Sequence, residues 1–358
     1  MIHTEVIQPI LLIAGSCVLT YYCFDAVGSW DNLIASLTEM KGTAPVMDKT
    51  PDEIFSLVRP IGSVDYDGGE FMSWRGLLFG APILGFYFWA NNQFMVQRVL
   101  GAKDLNHGRW GALFAGFLKL PVIFIMVLPG TLAILLYSDL DLTNLNYLLP
   151  NGEVCANLED CPNMTYPVLL FDLLPTGLLG LVLAGLLAAM MSSVSATFNS
   201  ASTLITMDFV KKIKPEMTSD QLVRAGQIST LVLVVLASLW APQIEKFGSL
   251  FRYLQLVLSY ICPPVVAVFV LGLFWRRMNS AGSISALLSG FTMAVFMLLN
   301  QGYEWLPSLN EIHFLHMTGI LTLICAIIHI SVSFATPAQA DEDIQDYIYN
   351  KKFFTNFN

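Results

Sequence analysis

The chain alternates between long apolar stretches and short polar ones. Eight apolar stretches lie at about 6–27, 73–97, 109–137, 175–206, 220–241, 248–275, 280–301 and 312–335. Each reaches the roughly 20 residues that a helix needs to cross a bilayer. Together they predict an all-α, polytopic membrane protein of about eight transmembrane helices. The polar stretches differ in charge. Segments 98–109, 207–224 and 276–277 and the C-terminal tail hold Arg98, Lys103, Arg109, Lys211, Lys212, Lys214, Arg224, Arg276, Arg277, Lys351 and Lys352, whereas loops 138–165 and 301–313 hold no Lys or Arg. Basic residues favour the cytoplasmic side of a membrane. The pattern therefore predicts a multi-pass protein of the plasma (inner) membrane with both termini cytoplasmic. The loops at 28–72, 138–174, 242–247 and 302–311 then face outward.

Composition agrees with a chain that lives in lipid. Of 358 residues, 55% are hydrophobic and 13% charged, and the mean hydropathy is +0.62, too apolar for an ordinary soluble protein. The formal charge of −9 comes from loops and from the tail at Asp341, Glu342, Asp343 and Asp346. It reads as solvated surface, and no nucleic-acid partner is expected. One transport domain over 1–335 and a tail over 336–358 account for the length. Cys17, Cys23, Cys262 and Cys325 sit in apolar stretches, where a buried free thiol is the default expectation. Cys155 and Cys161 share a polar loop and can pair in an oxidising compartment, next to the sequon Asn163-Met164-Thr165. His3, His107, His313, His316 and His329 are scattered, without the spacing of a metal site, and no nucleophile–base pair or phosphate loop appears. No enzyme is expected.

The apolar stretches contain polar groups that need a reason. The most polar is PTGLLGLVLAGLLAAMMSSVSATFNSASTLITMD, from Pro175 to Asp208, whose second half carries Ser192, Ser193, Ser195, Thr197, Asn199, Ser200, Ser202, Thr203 and Thr206. At 3.6 residues per turn Ala189, Ser192 and Ser193 share one face, with Ser195 and Asn199 close beside it. That face offers several oxygens to a small hard cation such as sodium. It equally suits close helix packing, for which small and hydroxyl residues are enriched in membranes. In the second stretch Gly80-Ala81-Pro82 and Gly85 predict either a kink or an unwound binding segment. Lys119, within AGFLKLPVIF, lies about 15 Å beyond Arg109 along a helix. A charge at that depth costs at least about 2.5 kcal/mol, so it must pair or line water. Gln255, Ser259 and Tyr260 form a polar group ahead of Pro263-Pro264. Glu5 marks the cytoplasmic end of the first stretch, and Asp172 reads as an outer-loop residue.

Ala189, Ser192 and Ser193, followed by Asn199, Ser200, Ser202, Thr203, Thr206, Met207 and Asp208, resemble the signature of the sodium/solute symporter family, which includes the sodium/glucose cotransporters. Thr4-Glu5-Val6-Ile7-Gln8 and the run from Asn92-Gln93 through Gln97-Arg98 to Ala102-Lys103 are similar to other family segments. Ser259-Tyr260, Pro263-Pro264 and Phe274-Trp275-Arg276-Arg277 are similar to its sugar and inositol branch. The resemblance covers nearly the whole chain and implies a partial LeuT-type core of inverted repeats. That core begins here at its fifth helix and lacks the first four. It implies sodium binding by Ala189 (through its carbonyl), Ser192 and Ser193. Glu5 and Ser195 are implied in a second cation site or exit path, with Ala196 replacing a hydroxyl residue of some relatives. Lys119 and Gln255 are implied to contact solute, and Phe88 and Phe251 to form apolar gates. Phe88 stands where a gate tyrosine is expected, and Gly85 where a polar sugar contact is.

The function so implied is sodium-coupled symport of a small polar organic solute, a sugar or polyol. Its partners are the small-molecule solute, sodium and the lipid bilayer, and its cofactors are none beyond the coupling ion. The alternatives are symport of an amino acid, organic acid or sialic acid, or a symporter-like membrane sensor.

Overall fold

A computed structural model describes residues 2–41, 50–56, 74–138, 141–143, 154–158, 161–244, 250–303, 305–340, 344 and 348, with 2–7, 252 and 302–303 described by their backbone. The side chain of Glu5, much of loop 28–72, the acidic tail residues Asp341, Glu342, Asp343 and Asp346, and Lys351 and Lys352 lie outside the described residues. The chain forms helices α1 Ile2–Val27, α2 Trp30–Glu39, α3 Pro51–Phe55, α4 Trp74–Phe79, α5 Ala81–Phe86, α6 Gln93–Leu100, α7 Leu105–Phe117, α8 Leu128–Leu136, α9 Thr165–Leu173, α10 Thr176–Leu204, α11 Lys211–Ile213, α12 Ser219–Ile244, α13 Leu250–Phe274, α14 Ser280–Tyr303, α15 Pro307–Asn310 and α16 Phe314–Ala335.

Among the described residues six segments are long and apolar enough to cross a membrane: Gln8–Val27, Thr176–Ile213, Ser219–Ile244, Tyr253–Phe274, Ser280–Gln301 and Phe314–Ala335. Helices are required there because lipid offers no partner to an open N–H or C=O. The other two apolar stretches depart from the expectation of continuous spans. The second breaks at Gly80, resumes as α5 with Pro82 in its first turn, and widens to a π-type turn over Tyr87–Asn91 before Asn92 turns extended. The third stops at Phe117, turns through Leu118–Pro121, and continues through a second π-type turn, Ile123–Val127, into α8. Pro121 explains this break, since its ring excludes the N–H and clashes with the preceding turn. The wide turn leaves Ile125 with a loosely held carbonyl. The Thr20 hydroxyl on α1 lies 3.2 Å from it, sharing its proton with the Ser16 carbonyl at 2.8 Å.

The chain divides into two compact units: Met1–Phe55 with Gln97–Leu250, and Ser56–Val96 with Phe251–Asn358. In the first, α1 and α10 run antiparallel in close contact. A Cβ on Gly15 would stand 2.8 Å from Val182, and one on Gly185 would stand 3.5 Å from Leu11. Glycine at both contacts lets the backbones approach, as is common between membrane helices. The core beyond them joins Leu19 and Cys23 of α1, Leu33 and Leu37 of α2, Leu132 of α8 and Leu169 of α9. Gly28 closes α1 at φ +90°, a conformation glycine adopts without strain, and Ser29 then caps α2 by accepting the Asn32 N–H. Cys155 and Cys161 are joined in a disulfide, the pairing the polar loop allowed. Asp172 lies within α9 and accepts the Tyr137 hydroxyl at 2.7 Å.

In the second unit α13, α14 and α16 share a core of Leu256, Tyr260, Ala294, Met297, Met317 and Leu321. A Cβ on Gly290 of α14 would collide with Pro264 of α13 and stand 2.8 Å from Cys325 of α16. Gly80, at the α4–α5 break, meets the Leu315 backbone of α16 just as closely. Two buried asparagines hold the ends of α14. Asn300 donates to Leu306 O (3.0 Å) and Asn310 Oδ1 (2.7 Å) and accepts the Leu306 N–H (2.8 Å). Asn279 accepts the Gly282 N–H and donates to Thr336 Oγ1 and Pro337 O just past α16.

Candidate functional sites on α10 and α13

Along α10 the buried stripe through Val182 and Gly185 continues at i+3 and i+4 spacing through Ala189, Ser192 and Ala196, all half-buried, to Ser200, which is buried. Ser193 and Ser195 flank the stripe and are exposed. Ala189 and Ser192 thus continue, at helical spacing, the stripe whose Val182 and Gly185 pack against α1, with Ser193 at its edge. The pairs Gly15–Val182 and Leu11–Gly185 fix an antiparallel register. Continued at 1.5 Å per residue, it sets the backbone of Glu5 level with Ser192. Ser193 also carries an extra load on its backbone, since the Thr197 hydroxyl donates to its carbonyl at 2.8 Å. The Ser192 and Ser193 hydroxyls thus stand within one turn of each other on α10, at the level of the Glu5 backbone on α1. No group of three or more His, Cys, Asp or Glu that could hold a metal ion occurs among the described residues.

The lower half of the signature is tied down by contacts that the sequence reading left without a role. Ser200 donates to Oε1 of the half-buried Gln97 at 3.1 Å, and Ser202 donates to the Gly226 carbonyl of α12 at 2.7 Å. Gln97 belongs to the Asn92-Gln93…Gln97-Arg98 run, and that polar cluster beside an apolar stretch was the available signal. These bonds fix α10 against α6 and α12 below the hydroxyl face.

Lys119 falls in the break between Phe117 and Val122, not inside a continuous helix. Its N–H bonds the Gly116 carbonyl at 3.2 Å, its own carbonyl accepts the Val122 N–H at 3.3 Å, and its side chain is exposed. In the second unit Phe251 and Gln255 stand one turn apart on one face of α13. Phe251 is exposed, Gln255 half-buried, and the Ser259 hydroxyl donates to the Gln255 carbonyl at 2.6 Å. Phe88 lies in the Tyr87–Asn91 turn, edge-to-face with Trp89 at 5.6 Å. Two residues earlier, Phe86 meets Phe269 at 6.0 Å. Phe269 is fourteen residues beyond Gln255, or about 21 Å along α13. Phe251 and Gln255 are therefore brought together, and Phe88 is held elsewhere along the same helix.

A sequence model described as "Sodium:solute symporter family" matches residues 1–290. The chain belongs to this family. Within the sodium:solute symporters it is similar to the Homo sapiens sodium/myo-inositol cotransporter 2, at 33% identity over 96% of this chain and 52% of that protein. The Bos taurus sodium/mannose cotransporter is 31% identical over 96% of this chain and 59% of its own length, and the Danio rerio sodium/glucose cotransporter 4 is 31% identical over 94% and 52%. The chain thus spans about half the length of the curated symporters it matches. Among solved structures, a substrate-bound, outward-open Na+-coupled sialic acid symporter superimposes with a TM-score of 0.66 at 19% identity, over 94% of this chain and 63% of that one. That likeness carries the fold: a helical, multi-pass membrane protein of the symporter type.

Proposed function

We propose that the protein is a sodium-coupled secondary symporter of a small polar organic solute, a sugar or polyol. The observation that carries the coupling ion is the oxygen-rich face of α10, where Ala189 and Ser192 continue the α1-packed stripe with Ser193 at its rim. Sodium is held by the Ala189 carbonyl and the Ser192 and Ser193 hydroxyls. Glu5 and Ser195 serve a second cation position or the exit path. The solute class follows from the inositol, mannose and glucose cotransporters named above, each similar over most of this chain. Within the second unit, Gln255 contacts the solute and Phe251, one turn away on α13, forms an apolar gate; Phe88 forms a second gate, and Lys119 of the first unit is a further solute contact.

An ion that binds one conformation better than another shifts the equilibrium by its differential affinity alone. Sodium bound on α10 stabilises the outward-open state, and solute and ion favour each other's binding by the same factor. No enzymatic step is needed. The protein sits in the plasma (inner) membrane with both termini cytoplasmic, residues 1–335 forming the transport domain and 336–358 the tail. A specific observation keeps a second cargo in view, since the structurally similar symporter takes sialic acid.

The test is uptake into proteoliposomes by the protein expressed from its complete reading frame. Accumulation of labelled myo-inositol, mannose or glucose above equilibrium, abolished when sodium is replaced by choline, is the expected result. Flux that only equilibrates would exclude symport, and accumulation of sialic acid alone would move the cargo to the second reading.

A further inference from the structure

Where α16 runs out, the turn between α13 and α14 grips the chain that follows, and the transport reading gives this grip no task. Arg277 Nη2 donates to the Phe334 carbonyl at 3.3 Å and to the Thr336 carbonyl at 2.9 Å, and its guanidinium lies over the Phe334 ring at 5.4 Å. Asn279 Nδ2 donates to Thr336 Oγ1 at 2.7 Å and to the Pro337 carbonyl at 2.9 Å. The Thr336 hydroxyl gives its own proton to the Val332 carbonyl at 2.7 Å, so it meets Asn279 as an acceptor. One donor is left over. Arg277 Nη1 is buried and has no hydrogen-bond partner among the described residues. A buried donor on a charged group is costly to leave open, and such an orphan marks a place where an acceptor belongs.

Thr336 is the residue that can supply one. Standing before Pro337, it is held extended at φ −114° and ψ 159°, the conformation a following proline imposes. It is half-buried, and Pro337–Ala340 beyond it are exposed and outside any helix. An extended Thr-Pro at the fraying end of a helix, leading into exposed chain, is the form in which a proline-directed kinase takes its substrate. A phosphate at a helix C-terminus is ordinarily repelled by the last carbonyls, whereas beside an arginine it gains charge-assisted hydrogen bonds. Here Arg277 already covers two of those carbonyls, and Arg276 stands exposed next to it. We propose that Thr336 is a phosphorylation site and that Arg277 holds the phosphate. In the transfer, Thr336 Oγ1 bonds to the γ-phosphorus of ATP and the bond from that phosphorus to the bridging oxygen breaks. The hydroxyl proton passes to the kinase's base, and ADP leaves. The hydrogen bond to Val332 is given up, and Arg277 Nη1 gains its acceptor. This rests on the reading that the basic side is cytoplasmic, where ATP and kinases are found.

The complete protein, purified in detergent so that both faces are open, is incubated with ATP and a mitogen-activated protein kinase, and its phosphates are mapped by mass spectrometry. Phosphate is expected on Thr336, absent in Thr336→Ala, reduced at least tenfold in Pro337→Ala, and kept in Thr336→Ser. No phosphate, or phosphate on other residues only, would overturn the site. The part of Arg277 is read on the wild-type phosphoprotein, where no variant has to fold. Its 31P resonance should titrate with a second ionisation at least tenfold more acidic than the value of about 6 for a free phosphoryl group. Arg277→Gln should bring it back toward that value. A second ionisation at about 6 in the wild type would overturn the assignment of Arg277. Orientation is separate from both results, since detergent removes sidedness. Thr336 modified in detergent but unmodified in cells, with position 338 labelled from outside, would overturn the cytoplasmic placement and the site's use in the cell together.

Discussion

Ser193 sits at the boundary between the packed stripe of α10 and its exposed flank, and that position decides what its removal does. The side chain is exposed, so Ser193→Ala opens no cavity and should leave expression and thermal stability within about 0.5 kcal/mol of wild type. Losing one of a few hard oxygens should instead raise the sodium concentration for half-maximal transport several-fold, measured as sodium-dependent uptake at fixed solute. An unchanged sodium dependence would remove Ser193 from the ion site. Lys119 occupies a helix break in the membrane-spanning region, and Lys119→Ala should weaken apparent solute affinity more than sodium affinity. Equal effects on both would point to an ion pair that holds the break. Asp104 behaves differently because it is structural. It caps α7 by accepting the His107 N–H at 2.8 Å, and that bond, with the His107 ring at 2.7 Å, holds its carboxyl below the usual carboxylate range. A depressed folded pKa gives stability that is present above the unfolded value and lost as pH falls through the folded one. The destabilisation by Asp104→Ala, followed by thermal unfolding, should therefore be present at pH 5 and shrink below about pH 4.

At the scale of elements, the apolar runs announced six of the helices directly, because length and the absence of charge are what a bilayer selects. Where a span would break was partly legible. Gly80-Ala81-Pro82 combines two residues that disfavour helix, and the break falls there. Whether it would be a kink or an unwound binding segment could not be read, since the contact at Gly80 is with Leu315, more than two hundred residues away. Pro121 beside Lys119 carried the same warning in the third stretch, yet the charge drew the reading to depth rather than to the break. The π-type turns left no local signal, as they depend on partners such as Thr20 on another helix. The hydroxyl face of α10 was visible from spacing alone, and what spacing could not supply was the Gln97 and Gly226 anchors that hold it. The tight approach at Gly80 gives an element-level expectation. Gly80→Val would drive a branched side chain into the Leu315 backbone and should cost at least about 1–3 kcal/mol, seen as a lower unfolding temperature in detergent. Gly85→Val, whose position has open space within 4 Å, should cost less. Equal losses would show that the Leu315 contact does not govern the break.

For the whole molecule, the charge asymmetry of the loops and the Cys155–Cys161 disulfide point the same way. The paired cysteines belong to a loop without basic residues, and the turn at Lys214–Thr218 belongs to the basic side. A single cysteine placed at Glu216, in a background free of other reactive thiols, should be shielded from membrane-impermeant maleimide in intact cells and labelled in inverted vesicles. One placed at Asn157 should show the reverse. Labelling of both positions from one side would overturn the orientation.

The glycine contacts between α1 and α10 have one more consequence, mechanical in kind. Gly15 and Gly185 mark tight contacts between the two helices about one turn apart, and a change of crossing angle would pivot about that turn. Ser192 and Ser193 lie seven and eight residues farther along α10, a lever arm of about 11 Å. A rotation of about 10° would move them by about 2 Å against α1, the difference between an oxygen that touches a cation and one that does not. In the proposed ion site, close packing at the pivot would turn a small tilt of one rod into a gain or loss of oxygen ligands at Ser192 and Ser193.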